Sequence, residues 1–250
     1  MNAPADPSNT GEPPSRAYPP AGNPPVFNVH GAIVALAAIC IGVHVIRTQF
    51  LSPGADMRLV IETAFFPIRY MPDLFRLDFA TILSPVTYAF LHGDWVHLTI
   101  NMVWLAAFGS PLAYRIGWRR SLVFWVVTAA IAAATHLAIY FGDPVPVIGA
   151  SGAVSGFMGA AARFGLRANR RNPRRGFDGP LLSVRDTFRA RGVVPFLLVW
   201  IGMNIAIGLD LLGMQQGSTT AWEAHIGGLL SGFILIPYFD RRGPVSADLR

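Results

Sequence analysis

Gly149-Ala150-Ser151-Gly152-Ala153-Val154-Ser155-Gly156 is a run of tiny residues at the head of an apolar segment, preceded by a loop that carries Pro144 and Pro146. The prolines close the preceding element and predict a helix that begins beside Ser151. At a helix start the backbone N–H groups lack partners and the dipole end is positive, so negative charge developing there is stabilised. A nucleophilic serine needs that from its backbone. The run also fits the small-xxx-small pattern through which membrane helices pack closely. Taken alone it favours the packing reading, and only the rest of the chain can add to that.

The 250 residues are 52% hydrophobic and only 14% charged, against about a quarter charged in soluble domains. Several windows reach the roughly 20 apolar residues that cross about 30 Å of hydrocarbon. The composition predicts an all-α integral membrane protein with several spans. The one cysteine, Cys40, sits in an apolar helix, which excludes an intrachain disulfide or a cysteine metal cluster and suits packing.

Residues 1–28 hold eight prolines and predict a disordered cytoplasmic tail, with neither the basic start of a secretory signal nor the arginines of a transit peptide. A membrane domain over 29–242 follows, then a short tail, 243–250. Six spans are predicted, at about 30–51, 94–114, 121–141, 149–166, 193–214 and 221–239. The long first connection holds apolar patches, Leu59–Phe66 and Leu74–Leu83, that are too short to span and read as interfacial helices. All twenty basic residues are arginine, and fifteen fall in the tail, the loops after spans two and four, and the C-terminus. The positive-inside rule then puts both termini in the cytoplasm. The net charge of +6 is therefore a topology signal and a contact for anionic lipid, not a nucleic-acid footprint.

Polar groups within spans are costly and call for an explanation. His97 and Asn101 are four apart, hence on one face of span two, where both can donate to one oxyanion. On span six, His225 lies three residues before Gly228 and near the Gly228/Gly232 face. A helix packing through that face against the glycines of span four brings His225 to Ser151, and a neutral imidazole beside a hydroxyl is an activated nucleophile. Spans two, four and six all start on the outer side, so the three polar elements share one depth. His30, His44 and His136 read as packing histidines, and Asn204 and Asp210 as caps or bridges between helices. No HExxH motif or paired-carboxylate helix is present, so no metal or cofactor enters the reading.

With these residues the chain resembles the rhomboid intramembrane serine proteases. Gly149-Ala150-Ser151-Gly152, His97 with Asn101, and Ala224-His225-Ile226-Gly227-Gly228 carry the resemblance, which extends over about residues 30–240. Asp210-Leu211-Leu212-Gly213-Met214 is similar to bacterial members. The resemblance implies a six-helix bundle in the bacterial inner membrane and a Ser151–His225 dyad without an acid. The oxyanion hole would be the Ser151 N–H with His97 and Asn101, supported by His92, Gly149, Gly152, Gly228 and Gly232. Transmembrane proteins are the implied substrates and membrane lipids the surroundings. The fifth span and the loop 213–220 would form a substrate gate, and the first external loop would lie partly in the outer leaflet.

Two positions depart from the family pattern. Ser155 stands where many members carry Tyr or Phe stacked on the histidine, which leaves His225 to another aromatic or to a looser hold. The Trp-Arg pair of the first loop is absent, Phe66-Pro67-Ile68-Arg69-Tyr70 being its nearest analogue. A catalytically silent relative that binds transmembrane helices is the alternative function, and retention of both Ser151 and His225 weighs against it. A transporter would show inverted repeats, and none is evident. The sequence sets no oligomeric state.

Overall fold

Side-chain caps mark where half of the α-helices begin in the computed structural model, which describes residues 29–169, 172–211 and 221–240. The predicted tails 1–28 and 243–250 and the loop 213–220 lie outside the described residues. Helix α1, Gly31–Val45, starts where the His30 ring accepts from the Ala32 N–H, and it runs on as a π-helical turn, Ile46–Phe50. Ser52 caps α2, Pro53–Thr63, and Asp78 caps α3, Phe79–Thr87. Both differ from the expected patches at 59–66 and 74–83. Each cap oxygen takes up an N–H of the first turn, so the cap outweighs the apolar pattern in setting the start.

Asp94 caps α4, Trp95–Trp104, which continues through a π-helical stretch, Leu105–Gly109, into α5, Ser110–Ile116. Gly117, at φ +85°, turns the chain into α6, Trp118–Ile139. Then come α7, Ser151–Arg163; α8, Val184–Arg189; α9, Val193–Gly208; and α10, Trp222–Phe239. Helix α8 was not expected and falls in the basic connection, where Ser183 caps it. No strand occurs among the described residues, only two isolated antiparallel bridges.

Among the described residues, three helical stretches are long and apolar enough to cross a membrane: Gly31–Phe50, Trp95–Ile116 and Trp118–Ile139. Helix α7 has 13 residues, about 20 Å at 1.5 Å per residue, shorter than the hydrocarbon slab. Every residue of it from Gly152 to Arg163 is buried, so it is the centre of the bundle rather than one of its walls.

Helices α6 and α10 enclose it. Phe124 of α6 meets Phe157 of α7 edge-on, with ring centroids 5.3 Å apart. Against α10 the approach is closer still. A Cβ added at Gly228 would run into the Gly152 carbonyl, one at Gly232 into that of Gly156, and one at Gly159 into that of Leu229. The two backbones touch at three levels, as the small-xxx-small reading predicts.

The far end of the bundle is tied by arginines. Arg163 donates to the carbonyls of Leu182 (2.8 Å) and Phe233 (3.0 Å). Arg115 pairs with Asp240 at 2.7 Å, both side chains buried, and also donates to the carbonyls of Phe177 and Gly179. At the near end, Phe65 and Val147 exchange backbone hydrogen bonds of 3.1 and 2.8 Å, and the Gly149 N–H donates to Tyr88 at 3.0 Å. The first loop thereby fixes the approach to α7. Within that loop the Arg69 guanidinium lies 4.7 Å from the Phe66 ring and donates to the carbonyls of Ala64 and Ile61, so the expected analogue pair is in contact.

The three packing histidines divide. His30 caps α1, and His136 bonds Glu223 at 2.6 Å in a buried pair. His44 is 1% exposed and meets Trp95 edge-on, yet neither ring nitrogen has a hydrogen-bond partner among the described residues.

Candidate active site

Ser151 is the first residue of α7, so its hydroxyl stands at the mouth of the most buried helix. The His225 Nε2 lies 2.7 Å from the Ser151 Oγ. The expected pairing of spans four and six therefore holds in geometry, and the reason is the glycine contact. Gly228 sits one turn below His225 and meets the carbonyl of Gly152, the residue after the serine. With any larger residue there the helix axes would part and the imidazole would fall short.

His97 reaches the same place from α4. Its backbone N–H donates to the Asp94 cap at 2.8 Å, which orients the first turn. A Cβ at Gly149 would sit 2.7 Å from His97 Nε2, and 3.6 Å from Ser151 Oγ. Gly149 also has φ +122°, a conformation side chains rarely adopt. Absence of a side chain at 149 thus lets the His97 ring edge and the Ser151 hydroxyl share one space.

Asn101, 4% exposed, donates from Nδ2 to the His97 carbonyl at 2.9 Å, which leaves its second N–H for another acceptor. His92 is fully buried. It accepts a long bond (3.4 Å) from the Ala150 N–H, its carbonyl takes Arg47 at 2.9 Å, and its ring meets that of His97 at 5.2 Å. Its place is behind the site, steadying the turn before Ser151. Gly152 is needed for the opposite flank, where a Cβ would strike Ala132 Cβ and the Tyr88 hydroxyl at 2.7 and 2.8 Å.

His225 and His97 are therefore brought to Ser151, with Gly149, Gly152, Gly228 and His92 around them, while Gly232 lies a turn further along α10 against Gly156 and the bond of Asn101 runs within α4. Ser155 behaves differently from either expectation. Its hydroxyl donates to the Ser151 carbonyl at 2.7 Å, and no aromatic ring stacks on His225 among the described residues. His225 is held instead by Asn204 of α9, whose Oδ1 lies 2.5 Å from His225 Nδ1. The sequence marks Asn204 as a cap or a bridge between helices; it is a bridge, and what the sequence did not name is its partner, His225. The available signal was a lone carboxamide in a helix otherwise apolar from Val193 to Ile207. Glu223 was missed. It is the second residue of α10, two before His225, and engages His136 of α6, pinning the end of α10 that carries the imidazole.

The chain is similar to a family of known proteins. The profile described as Rhomboid domain matches residues 80–242. A protein named Rhomboid protease GlpG from Serratia proteamaculans (strain 568) is 32% identical over 160 residues, 63% of this chain and 48% of the relative. The one from Yersinia pestis (strain Pestoides F) is 30% identical over the same shares. That of Yersinia enterocolitica serotype O:8 / biotype 1B (strain NCTC 13174 / 8081) is 29% identical over 212 residues, 84% of this chain and 62% of the relative. The chain spans about half the length of the first two relatives. With a serine and a histidine paired at the head of a buried glycine-lined helix, and a family profile over most of the bundle, the chain belongs to the rhomboid family of integral membrane proteins.

Proposed function

We propose that the chain is an intramembrane serine endopeptidase that cuts transmembrane segments of other membrane proteins. The observation that carries this reading is the 2.7 Å contact between His225 Nε2 and Ser151 Oγ at the start of α7. The Ser151 oxygen attacks the scissile carbonyl carbon while its proton passes to Nε2, and the imidazolium then gives that proton to the departing amide nitrogen. Water, deprotonated in turn by His225, attacks the acyl-serine, releases the new carboxyl end and restores the hydroxyl.

The tetrahedral oxyanion would be held by the Ser151 N–H, the His97 Nε2–H and the free N–H of Asn101. Each such donor contributes about 3–4 kcal/mol in a preorganised, water-poor site. The positive end of α7 adds to them. The names of the relatives support the reaction class.

The orientation belongs to the same reading. The arginine asymmetry puts both termini in the cytoplasm and Ser151 toward the outer side, while the six crossings rest on the apolar windows and the bacterial inner membrane on the family resemblance. The arginines between 167 and 191 would meet anionic headgroups. The fifth span, seen as α9, is the proposed substrate gate.

Purified protein in proteoliposomes should cleave a model single-span substrate, and Ser151→Ala or His225→Ala should abolish cleavage. Because the base must be neutral, the rate should fall as acid protonates His225. Cleavage that survives Ser151→Ala would overturn the assignment.

A further inference from the structure

A chain of hydrogen bonds runs behind His225, and its direction is set at the far end. The Trp200 carbonyl can only accept, and Asn204 Nδ2 lies 2.8 Å from it. The amide NH2 of Asn204 therefore faces Trp200, and its oxygen faces His225. That oxygen is 2.5 Å from His225 Nδ1 and can only accept, so Nδ1 carries the ring proton. Nε2 is then the nitrogen with the lone pair, and it is the one 2.7 Å from the Ser151 hydroxyl. One backbone carbonyl on α9 thus dictates which imidazole nitrogen is basic.

We infer that Asn204 is the positioning residue of His225, fixing by a neutral hydrogen bond both the ring's orientation and the tautomer that leaves Nε2 free to take the Ser151 proton. The inference rests on the protease reading for its consequence, though not for its geometry. It also accounts for Ser155. With no aromatic ring stacked on the imidazole, the bond from α9 supplies the hold, while Ser155 turns its hydroxyl to the Ser151 carbonyl. A third group that orients the base recurs in nucleophile–histidine sites of unrelated folds, and a carboxamide serves where the imidazole needs orienting more than charge compensation. The other titratable groups around the ring are His97 of α4 and Glu223 of α10, the latter engaged by His136 of α6.

The test uses the full chain in detergent with a serine-directed fluorophosphonate, followed as labelling rate against pH. Asn204→Leu keeps the volume and removes the acceptor; Asn204→Asp keeps an acceptor and adds charge. Leu should slow labelling roughly 10- to 100-fold, a part of the 10²–10⁴ that a general base supplies. Asp should label faster than Leu at alkaline pH, with the acid limb moved up by about 1–3 units, because a carboxylate beside the ring favours the imidazolium. A purely structural role would leave that limb in place. Wild-type labelling in Asn204→Leu, or an unmoved limb in Asn204→Asp, would overturn the inference. Nitrogen-15 signals of the His225 ring read the tautomer without activity. A proton on Nδ1 that Asn204→Leu redistributes, in protein that shows no Ser151-dependent labelling, sinks the protease reading and leaves Asn204 standing. Ser151-dependent labelling with ring signals indifferent to Asn204→Leu does the reverse.

Discussion

Two helices flank the candidate serine–histidine pair from opposite extremes of packing. Helix α10 meets α7 backbone to backbone at Gly228, Gly232 and Gly159, with no side chain between them. Helix α9 buries only Val193 and Leu197, both near its start, and Leu198, Val199 and Met203 are 58–67% exposed. In lipid, apolar burial does not drive helices together, so close contact and hydrogen bonds must do it. The first interface has close contact at three levels. The second has the Asn204–His225 bond at the depth of the site and, about a turn away, a single close contact of the Trp222 ring with Gly208. Ser151 and His225 are thus set by the stiff part of the molecule, and the orientation of the His225 ring by the loose part. A helix with little burial lies at the low end of local stability, where elements that move are drawn from.

The contrast can be broken hardest at Gly232. Gly232→Ala places a Cβ against the Gly156 carbonyl, and forcing such a contact costs about 1–3 kcal/mol, occasionally more. Thermal unfolding in detergent should show the loss, with labelling of Ser151 lost alongside it. Next comes Gly149→Ala, which combines φ +122° with a 2.7 Å clash against His97. Its strain, of order 1–3 kcal/mol, is confined to the site. The expected result is a modest fall in melting temperature with a large fall in cleavage rate. Asn101→Ala removes a proposed oxyanion donor and should lower cleavage by about 10²–10³ while changing stability little. Unchanged turnover would remove Asn101 from that role. At the weak end, Leu198→Ala and Val199→Ala on the exposed face of α9 should shift stability by no more than about 0.5 kcal/mol. A larger shift would mean that α9 is held by more than its contacts here.

How much of this was legible in the sequence follows the same division. Gly149, Ser151, Gly152, His225, Gly228 and Gly232 could be joined because helix periodicity fixes which residues share a face, and glycines on two facing helices imply a close crossing. His97 and Asn101 were legible from their spacing of four. The starts of α2 and α3 were not, since an apolar pattern marks where a helix is buried and a cap marks where it begins. The partner of Asn204 was not legible for a further reason. It is 21 residues away on a helix joined to α9 through residues 212–220, and periodicity says nothing about rotation between two helices. The His136–Glu223 pair, 87 residues apart, escaped for the same reason. Contacts made through repeated small residues leave a pattern in the chain; single polar contacts leave only a polar residue in an apolar place.

In the proposed mechanism Ser151 is made nucleophilic by His225. Fluorophosphonate labelling of the purified chain, compared with Ser151→Ala and His225→Ala, tests it most directly. The prediction is saturable labelling of the wild type at neutral pH, none in Ser151→Ala and none above background in His225→Ala. Equal labelling of all three proteins would contradict it.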